Sequence, residues 1–317
     1  MIMKKQFVFA MAAILSLTAL SGCSSNSASA TTAAATTAAA ADTTAAPETT
    51  AAADTTAAPE SSAEAAKGDG SLEKVLQAGK LVMGTSPDFA PWEFKDVSSG
   101  SVEYVGSDIE LGKYIAEQLG VELEIKPMEF SAILQAINSD TVDIGISGFA
   151  YTDERAEAMN LSTNYNINSK AGQGLLVMKD QVSVYNTAEA FAGKKVATQN
   201  ASLQYKLATE QLPSDVTIQP VTNVTDGVMM LTTGKVDALA VSGDNGESLA
   251  KTYPEVAMAE FMFDYTNDGN VIGIKKGNDD LTAAINEIVE KVNEEGLYEQ
   301  WKQEATKLAD SLGIETN

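Results

Sequence analysis

Residues 107–125, SDIELGKYIAEQLGVELEI, decide the fold of this chain. Ser107 and Glu110 have the spacing of a capping box, and apolar residues recur at helical intervals until Gly120, where a helix would end. Residues 121–125 then alternate apolar and acidic side chains, which is the pattern of a strand. The stretch therefore predicts a helix followed directly by a strand, as in an α/β fold.

The same alternation of strand and helix occurs twice along the chain. We predict the first unit from strands at 81–83, 121–125 and 142–146 and helices at 107–119 and 131–137. We predict the second from strands at 195–198, 216–221 and 236–241 and helices at 203–212 and 225–232, followed later by a helical segment at 281–308. Two such units indicate two α/β lobes, each with a parallel sheet flanked by helices.

The ends of the predicted strands indicate where a ligand would bind. In open α/β sheets, ligands lie beyond the carboxyl ends of the strands. That rule selects four segments, two in each unit, at 85–89, 147–150, 199–202 and 242–244. A solute in contact with all four would lie in a cleft between the lobes.

The composition excludes several classes of function. The 317 residues carry a formal net charge of -23, which argues against nucleic-acid binding. The chain has no histidine and one cysteine, which excludes histidine general bases, catalytic triads, zinc sites built on these residues and an intramolecular disulfide. We predict no cofactor and no metal site.

Residues 1–22 have the organisation of a lipoprotein signal peptide. Lys4 and Lys5 precede an apolar stretch from 7 to 20, which is too short to span a membrane. The sequence LSGC at 20–23 follows and resembles the bacterial lipobox. We predict a lipid on Cys23 that anchors the protein to the outer face of the cell membrane, on a Gram-positive cell surface.

Residues 23–69 consist almost entirely of Ala, Thr, Ser, Pro, Glu and Asp. Such a segment has no large apolar side chains whose burial could offset the entropy of ordering it. We predict a disordered tether between the anchor and the globular part.

Four segments near the predicted strand ends and helix starts carry a recognisable signature. They are GTSPDFAPWEF at 84–94, GSDIEL at 106–111, KPMEF at 126–130 and ISGFAYTDER at 146–155. Together they resemble the family 3 extracellular solute-binding proteins, which serve polar amino acid ABC importers. The resemblance covers roughly residues 72–308.

The resemblance implies a two-lobed α/β fold of the type II periplasmic-binding-protein-like class. Its two parallel or mixed sheets have flanking helices, are joined by two hinge strands and close around a ligand. Carried over to this chain, lobe 1 is 70–172 plus 269–317 and lobe 2 is 173–268. The hinge strands would lie near 174–178 and 262–265.

The resemblance assigns the ligand's α-carboxylate to Arg155. A planar guanidinium makes two parallel charge-assisted hydrogen bonds to a carboxylate, which lysine cannot do. Ser147, Gly148 and Ala150 would support the same carboxylate or the ligand backbone. Many members have threonine at the position of Ala150, so this residue can offer only its backbone N–H.

Two further pairs of residues are implied to contact the ligand. Phe89 and Phe130 match aromatic positions that sandwich the aliphatic part of the ligand. Ser202 and Gln199 would approach the carboxylate or the side chain from lobe 2. Ser202 could instead cap the helix that follows it, or do both.

Ser242 stands where the family commonly has an aspartate that neutralises the ligand's α-ammonium. Asp244 or Asp88 could take over this charge, or the ligand could lack a standard α-amino group. Ser86 replaces an aspartate found in some members, which weakens the case for a strongly cationic ligand such as arginine.

The resemblance implies an extracytoplasmic, monomeric protein that binds an amino acid or analogue and passes it to an ABC importer permease. One alternative is a dehydratase-like enzyme of the same fold, in which Glu93 or Asp88 would act. The absence of histidine and of a paired-carboxylate motif argues against an enzyme. The other alternative is a stand-alone sensory module, although sensors of this fold are usually fused to a transmembrane helix and signalling domains.

Overall fold

The computed structural model describes residues 68–169 and 171–312. The predicted signal peptide, the lipid site at Cys23 and the tether up to residue 67 lie outside the described residues. Among those described, no helix is long and apolar enough to cross a bilayer.

The secondary-structure elements follow the chain in three runs. The first is α1 Ser71–Ala78, β1 Lys80–Thr85, β2 Phe94–Asp96, β3 Glu103–Val105, α2 Ser107–Leu119, β4 Glu122–Pro127, α3 Phe130–Asn138, β5 Ile144–Gly145, α4 Asp153–Ala158 and β6 Met159–Leu161. The second is β7 Gln173–Met178, β8 Lys195–Gln199, α5 Leu203–Gln211, β9 Thr217–Val221, α6 Val224–Thr232, β10 Ala238–Ser242, α7 Gly243–Thr252 and β11 Val256–Met262. The third is β12 Gly273–Lys275, α8 Asp279–Glu295 and α9 Leu297–Ser311.

The first sheet has the strand order β4-β1-β5-β12-β6. β4, β1 and β5 run parallel, whereas β12 pairs antiparallel with β5 and with β6. Leu81 and Met83 of β1 are buried in one cluster with apolar residues of α2 and α8. Ile133 and Ile137 of α3 belong to a separate cluster. The sheet is therefore covered by helices, as a largely parallel sheet requires.

The second sheet has the strand order β11-β7-β10-β8-β9. β10, β8 and β9 run parallel, and β7 is antiparallel to both β10 and β11. Leu203 and Leu207 of α5 belong to one apolar cluster, and Val228 of α6 and Leu249 of α7 belong to another. The chain therefore builds two separate layered cores, which confirms the predicted two-lobed α/β fold class.

The chain passes between the two sheets twice, after β6 and after β11. Tyr165 on the outgoing segment and Asn270 on the returning segment exchange two backbone hydrogen bonds of 2.7 Å. The predicted hinge strand at 174–178 is wrong, because these residues form part of β7 between β11 and β10. Their apolar run is buried, as expected of a central strand covered on both faces. The hinge segment predicted at 262–265 overlaps the start of the second crossing segment, which follows β11.

Every strand and helix predicted for the two repeats is present, and the C-terminal segment is helical as predicted, but the capping box predicted for α2 is wrong. α2 begins after Gly106 without a side-chain cap, because Ser107 is buried and its hydroxyl donates to the Tyr298 hydroxyl. The C-terminal segment 281–308 is two helices, α8 and α9, that separate at Gly296. This glycine has a φ of 65°, a left-handed conformation that ends a helix.

Candidate functional site

The carboxyl ends of four strands, two from each sheet, meet at one cavity. β1 and β5 of the first sheet and β8 and β10 of the second sheet end beside it. The empty space of the cavity is about 660 Å³, a volume that includes space open to solvent. Every residue predicted to contact a ligand lines this cavity: Ser86, Phe89, Phe130, Ser147, Gly148, Ala150, Arg155, Gln199, Ser202, Ser242 and Asp244.

Arg155 is the only arginine in the chain, and its side chain is buried in the cavity wall. Its Nη1 donates to the carbonyl oxygen of Ala150 at 2.7 Å and its Nη2 donates to that of Ala201 at 3.1 Å. The guanidinium carbon lies 5.6 Å from the ring centroid of Phe130 and 5.2 Å from that of Phe149, within cation–π range. The arginine therefore connects the two halves of the protein.

Arg155 forms no close ion pair with a carboxylate among the described residues. None of the ion pairs within 4.0 Å among residues 68–169 and 171–312 includes it. Burial lowers the pKa of Arg155 to about 10, because the charged form loses its hydration. Buried charges in folded proteins are normally paired, so this cation lacks the partner that such a position calls for.

The backbone on both sides of the cleft positions the guanidinium. Thr152 caps α4 and accepts a hydrogen bond from the backbone nitrogen of Arg155 at 3.2 Å. Ala201 has a φ of 60°, a left-handed conformation that is uncommon for a residue other than glycine. The carbonyl that this strained turn presents is one of the two that Arg155 binds, and strain of this kind is concentrated at functional sites.

Asp88 connects the loop after β1 to the start of α6. Its Oδ1 accepts from the Ser86 hydroxyl at 2.9 Å, and its Oδ2 accepts from the backbone nitrogen of Val224 at 3.0 Å. Burial raises the pKa of this carboxyl. Both oxygens are occupied by donors, and the second of these contacts joins the two halves of the molecule.

Asp244, on α7, is bound from across the cleft by Lys302 of α9. The Lys302 Nζ lies 2.6 Å from Asp244 Oδ2, and the same ammonium lies 5.2 Å from the ring centroid of Trp92. Ser169 also donates to Asp244, at 3.4 Å. The negative charge of Asp244 is therefore already balanced by a lysine.

Glu93 lines the cavity and is 1% exposed. Its Oε1 accepts from the Ser147 hydroxyl at 2.7 Å, and Ser147 accepts in turn from the backbone nitrogen of Ser86 at 3.1 Å. Its Oε2 is buried without a hydrogen-bond partner among the described residues. Burial raises the pKa of Glu93 well above its usual value, and the nearby charge of Asp108 raises it further.

Asp108 is the buried carboxyl next to Glu93. It accepts hydrogen bonds from the hydroxyls of Tyr165 and Tyr298 and from the backbone nitrogen of Gly148. The Gly148 N–H, which the sequence offers to a ligand carboxylate, is therefore taken by Asp108. Burial raises the pKa of Asp108, and the hydrogen bonds from Tyr298, Gly148 and Tyr165 act in the opposite direction.

Two serines at the ends of strands of the second sheet each cap a helix and also line the cavity. Ser202 caps α5 by accepting from the backbone nitrogen of Tyr205 at 3.0 Å, and it also lines the cavity. Ser242 caps α7 in the same way by accepting from Asn245 at 3.3 Å. Both functions predicted as alternatives for Ser202 are therefore compatible. Ser242 contributes no charge.

The sequence analysis did not predict the amide side chains that complete the wall. These residues are Asn166, Gln173, Gln204, Asn267 and Asn270. Several bind one another, for example Gln204 Nε2 to Gln173 Oε1 at 2.7 Å and Asn166 Nδ2 to Asn270 Oδ1 at 2.9 Å. Most of them lie on or beside the crossing segments, where no sequence pattern distinguishes a cavity residue from an ordinary loop residue.

Comparison with known proteins is consistent with this geometry. Residues 81–306 match the family described as bacterial extracellular solute-binding proteins, family 3, which confirms the resemblance that the four motifs predict. The chain is 26% identical over 245 residues to the L-cystine-binding protein TcyJ of Escherichia coli, covering 76% of this chain and 89% of that protein. It is 27% identical over 237 residues to the arginine-binding extracellular protein ArtP of Bacillus subtilis, covering 71% and 85%.

The fold also matches solved structures along most of its length. The amino acid ABC transporter substrate-binding protein AbpA of Streptococcus pneumoniae, bound to L-arginine, aligns with a TM-score of 0.71 and 33% identity. The alignment covers 76% of this chain and 99% of that one.

Proposed function

The chain belongs to the bacterial extracellular solute-binding proteins of family 3, and from that premise we propose that it binds an amino acid or amino-acid-like solute in the cleft and delivers it to an ABC importer. Members of this family are extracellular proteins. The named relatives bind amino acids that differ in side chain, which supports the class of ligand rather than one member of it.

One observation carries the proposal. The single arginine of the chain is buried at the junction of the two sheets, and no carboxylate of the part of the chain that the structure describes lies within 4.0 Å of it. A ligand carboxylate would supply the missing charge and accept two parallel hydrogen bonds from the guanidinium fork. The remaining lining is rich in hydroxyl and amide groups, which suit a small polar solute.

A thermal-shift screen of amino acids tests this function. A ligand at a hundredfold excess over its dissociation constant stabilises the folded state by about 2.7 kcal/mol, or roughly 5–10 °C for a domain of this size. Arg155→Ala should reduce the shift to about a third or less, whereas Lys307→Ala, which removes an exposed cation of α9, should retain it in full. An undiminished shift in Arg155→Ala would argue against the assigned carboxylate site.

We propose the lobes as 70–172 plus 269–317 and 173–268, with closure about the two crossing segments. The division of strands between the two sheets supports these boundaries. Small-angle scattering should show a more compact particle with ligand than without it. An unchanged radius of gyration would contradict closure. Single-molecule distance measurement on the ligand-free protein shows whether the lobes are already closed before the ligand binds.

We propose that the protein is a monomer held to the outer membrane face of a Gram-positive cell by a lipid on Cys23. The order of basic, apolar and LSGC segments supports the anchor. Cys23→Ala should release the protein into the medium, and radiolabelled palmitate should enter only the parent protein. Label in Cys23→Ala would refute the assignment.

We propose further that the protein binds its ligand without converting it. The named relatives are binding proteins, which supports this choice over a dehydratase-like enzyme. Recovery of the intact ligand after prolonged incubation with stoichiometric protein checks it, and a new product in the mass spectrum would contradict it.

A further inference from the structure

The peptide groups of Gly148, in the cavity wall, are held from two directions by residues outside their own loop. The Gly148 N–H donates to Asp108 Oδ2 at 2.7 Å, and the Gly148 carbonyl oxygen accepts from Asn270 Nδ2 at 2.9 Å. Gly148 has a φ of 58°, a left-handed conformation that glycine adopts without a steric penalty. Gly148 therefore cannot shift without breaking a hydrogen bond unless Asp108 and Asn270 move with it.

Both of these partners lead to the segments that cross between the two sheets. Asn270 lies on the returning segment, and Asp108 Oδ2 also accepts a hydrogen bond of 3.0 Å from the hydroxyl of Tyr165 on the outgoing segment. Tyr165 and Asn270 are joined to each other by their two backbone hydrogen bonds of 2.7 Å. The cavity wall at Gly148 and both crossing segments therefore belong to one continuous network of hydrogen bonds.

Both crossing segments adopt a left-handed conformation next to this network. Asn166, which follows Tyr165, has a φ of 53°, and Gly269, which precedes Asn270, has a φ of 105°. Hinges consist of a few residues outside helices and strands that absorb a change in backbone angles when domains close. The network therefore connects the cavity wall to the place where the two segments can bend.

We propose that Asp108 is a positioning residue that couples the seating of a ligand at residues 147–150 to the closure of the lobes. The inference rests on the proposed binding of a solute in the cleft. Asp108 is fully buried and is not one of the residues that line the cavity, so it acts through Gly148 and Tyr165. The hydrogen bond from the Tyr165 hydroxyl to Asp108 is made when the lobes are closed and is lost when they open.

The structure shows this network in a closed arrangement. Arg155 donates across the cleft to the carbonyl oxygen of Ala201, and the backbone nitrogen of Val224 donates across it to Asp88. A hydrogen bond that only the closed arrangement makes shifts the equilibrium towards closure. Because the same carboxylate oxygen holds the Gly148 N–H, a ligand that fixes residues 147–150 favours the same arrangement.

The two tyrosines that bind Asp108 provide a matched pair of variants. Tyr165 and Tyr298 are both buried, their rings lie 4.9 Å apart, and both hydroxyls donate to Asp108. Phenylalanine at either position keeps the ring and removes one donor. Only Tyr165 lies on a crossing segment, whereas Tyr298 belongs to α9. The Tyr298 hydroxyl also accepts from Ser107, so Tyr298→Phe should cost at least as much stability as Tyr165→Phe.

Single-molecule energy transfer measures the ratio of closed to open molecules, and calorimetry measures affinity. The dyes are attached at Glu117→Cys on α2 and Lys235→Cys before β10, two exposed positions, in a full chain that carries Cys23→Ala because Cys23 is its only cysteine. The probes are L-glutamine, L-cystine and L-arginine. Urea unfolding of each variant measures its stability separately.

We expect Tyr165→Phe to lower both the affinity and the ratio of closed to open molecules by about tenfold, the loss expected when one hydrogen bond to a carboxylate is made in only one of two arrangements. Tyr298→Phe should leave both quantities unchanged. Equal losses in the two variants would show that Asp108 serves the fold alone and would overturn the inference. Unchanged values in Tyr165→Phe would overturn it as well, while solute binding in the cleft would stand.

A crystal structure of the ligand-free parent protein with its lobes apart tests the inference even if Tyr165→Phe does not fold. The Tyr165 hydroxyl should then lie beyond about 3.5 Å from Asp108, and an intact hydrogen bond in the open protein would overturn the inference. If none of the three probes binds, the closed-to-open ratios of the ligand-free proteins still decide the role of Asp108. The proposed function itself is refuted by a screen of all amino acids that gives no thermal shift.

Discussion

Replacing Arg155 with glutamine would separate its role in binding from any role in folding. Burial lowers the pKa of Arg155 from its ordinary value to about 10. At about 1.4 kcal/mol for each tenfold change in proton affinity, the buried charge costs the empty protein about 3 kcal/mol. The hydrogen bonds to the carbonyls of Ala150 and Ala201 return about 1.5 kcal/mol each, the lower end for charged donors. The two contributions nearly cancel.

We therefore expect the free energy of unfolding of ligand-free Arg155→Gln to stay within about 1 kcal/mol of the parent value. Ligand affinity should fall by about 2–5 kcal/mol, or roughly 30-fold to 4,000-fold, because the ligand carboxylate loses its charged partner in a buried site. Arg155→Lys keeps the charge without the planar fork, so its affinity should lie between the two.

Urea unfolding with and without ligand, together with calorimetry, measures both quantities. Lys307→Ala should resemble the parent protein in each, since it removes only an exposed charge of α9. A loss of more than 3 kcal/mol in the ligand-free stability of Arg155→Gln, with affinity retained, would show that the arginine holds the two halves together rather than holding a ligand. That result would refute the reasoning.

Three shorter predictions follow from other contacts. Asp244→Asn removes the 2.6 Å ion pair with Lys302 across the cleft, so the rate of ligand dissociation measured by stopped flow should rise about fivefold. The increase should be smaller at high salt, which screens the ion pair in the parent protein. An unchanged rate would show that this ion pair does not slow ligand release. In Gly106→Ala the new Cβ would lie 2.1 Å from the Trp92 carbonyl oxygen, so the free energy of unfolding should fall by about 3 kcal/mol or more. Gly120→Ala should lose only about 1 kcal/mol, because nothing lies within 4 Å of its new Cβ. Equal losses in the two variants would refute the steric argument. Because burial raises the pKa of Glu93 above 4.5, the folded protein retains a proton that the unfolded chain loses, and ligand-free stability should fall as pH rises above about 4.5. The melting temperature of Glu93→Gln should lack this contribution. Identical slopes of melting temperature against pH for the two proteins would contradict it.

The location of the site was predictable because it depends on two local signals. Period-two apolar runs locate the strands, and the rule that ligands lie beyond carboxyl ends then selects the residues after them. Ser147, Gln199 and Ser242 line the cavity for that reason alone. Arg155 follows a short turn beyond β5, and only the family resemblance assigned its role.

The partners of the charged groups were not predictable, because they depend on long-range packing. Asp244 and Lys302 are 58 residues apart and meet only when α9 packs beside the cleft. The Ser107–Glu110 spacing indicated a cap, but the hydroxyl of Ser107 turns to Tyr298, 191 residues away. A local sequence pattern indicates which neighbouring residues on a helix can bind one another. It does not indicate that a distant hydroxyl, such as that of Tyr298, competes for the same side chain.

The two incompletely satisfied groups lie at opposite ends of one short segment. Ser147 donates to Glu93, and the carbonyl of Ala150 accepts from Arg155. Three residue steps span at most about 11 Å, and Gly148, with a φ of 58°, shortens that path. Glu93 and Arg155 therefore line one and the same cavity, on either side of this segment. A small solute that carries a positive and a negative group could contact both.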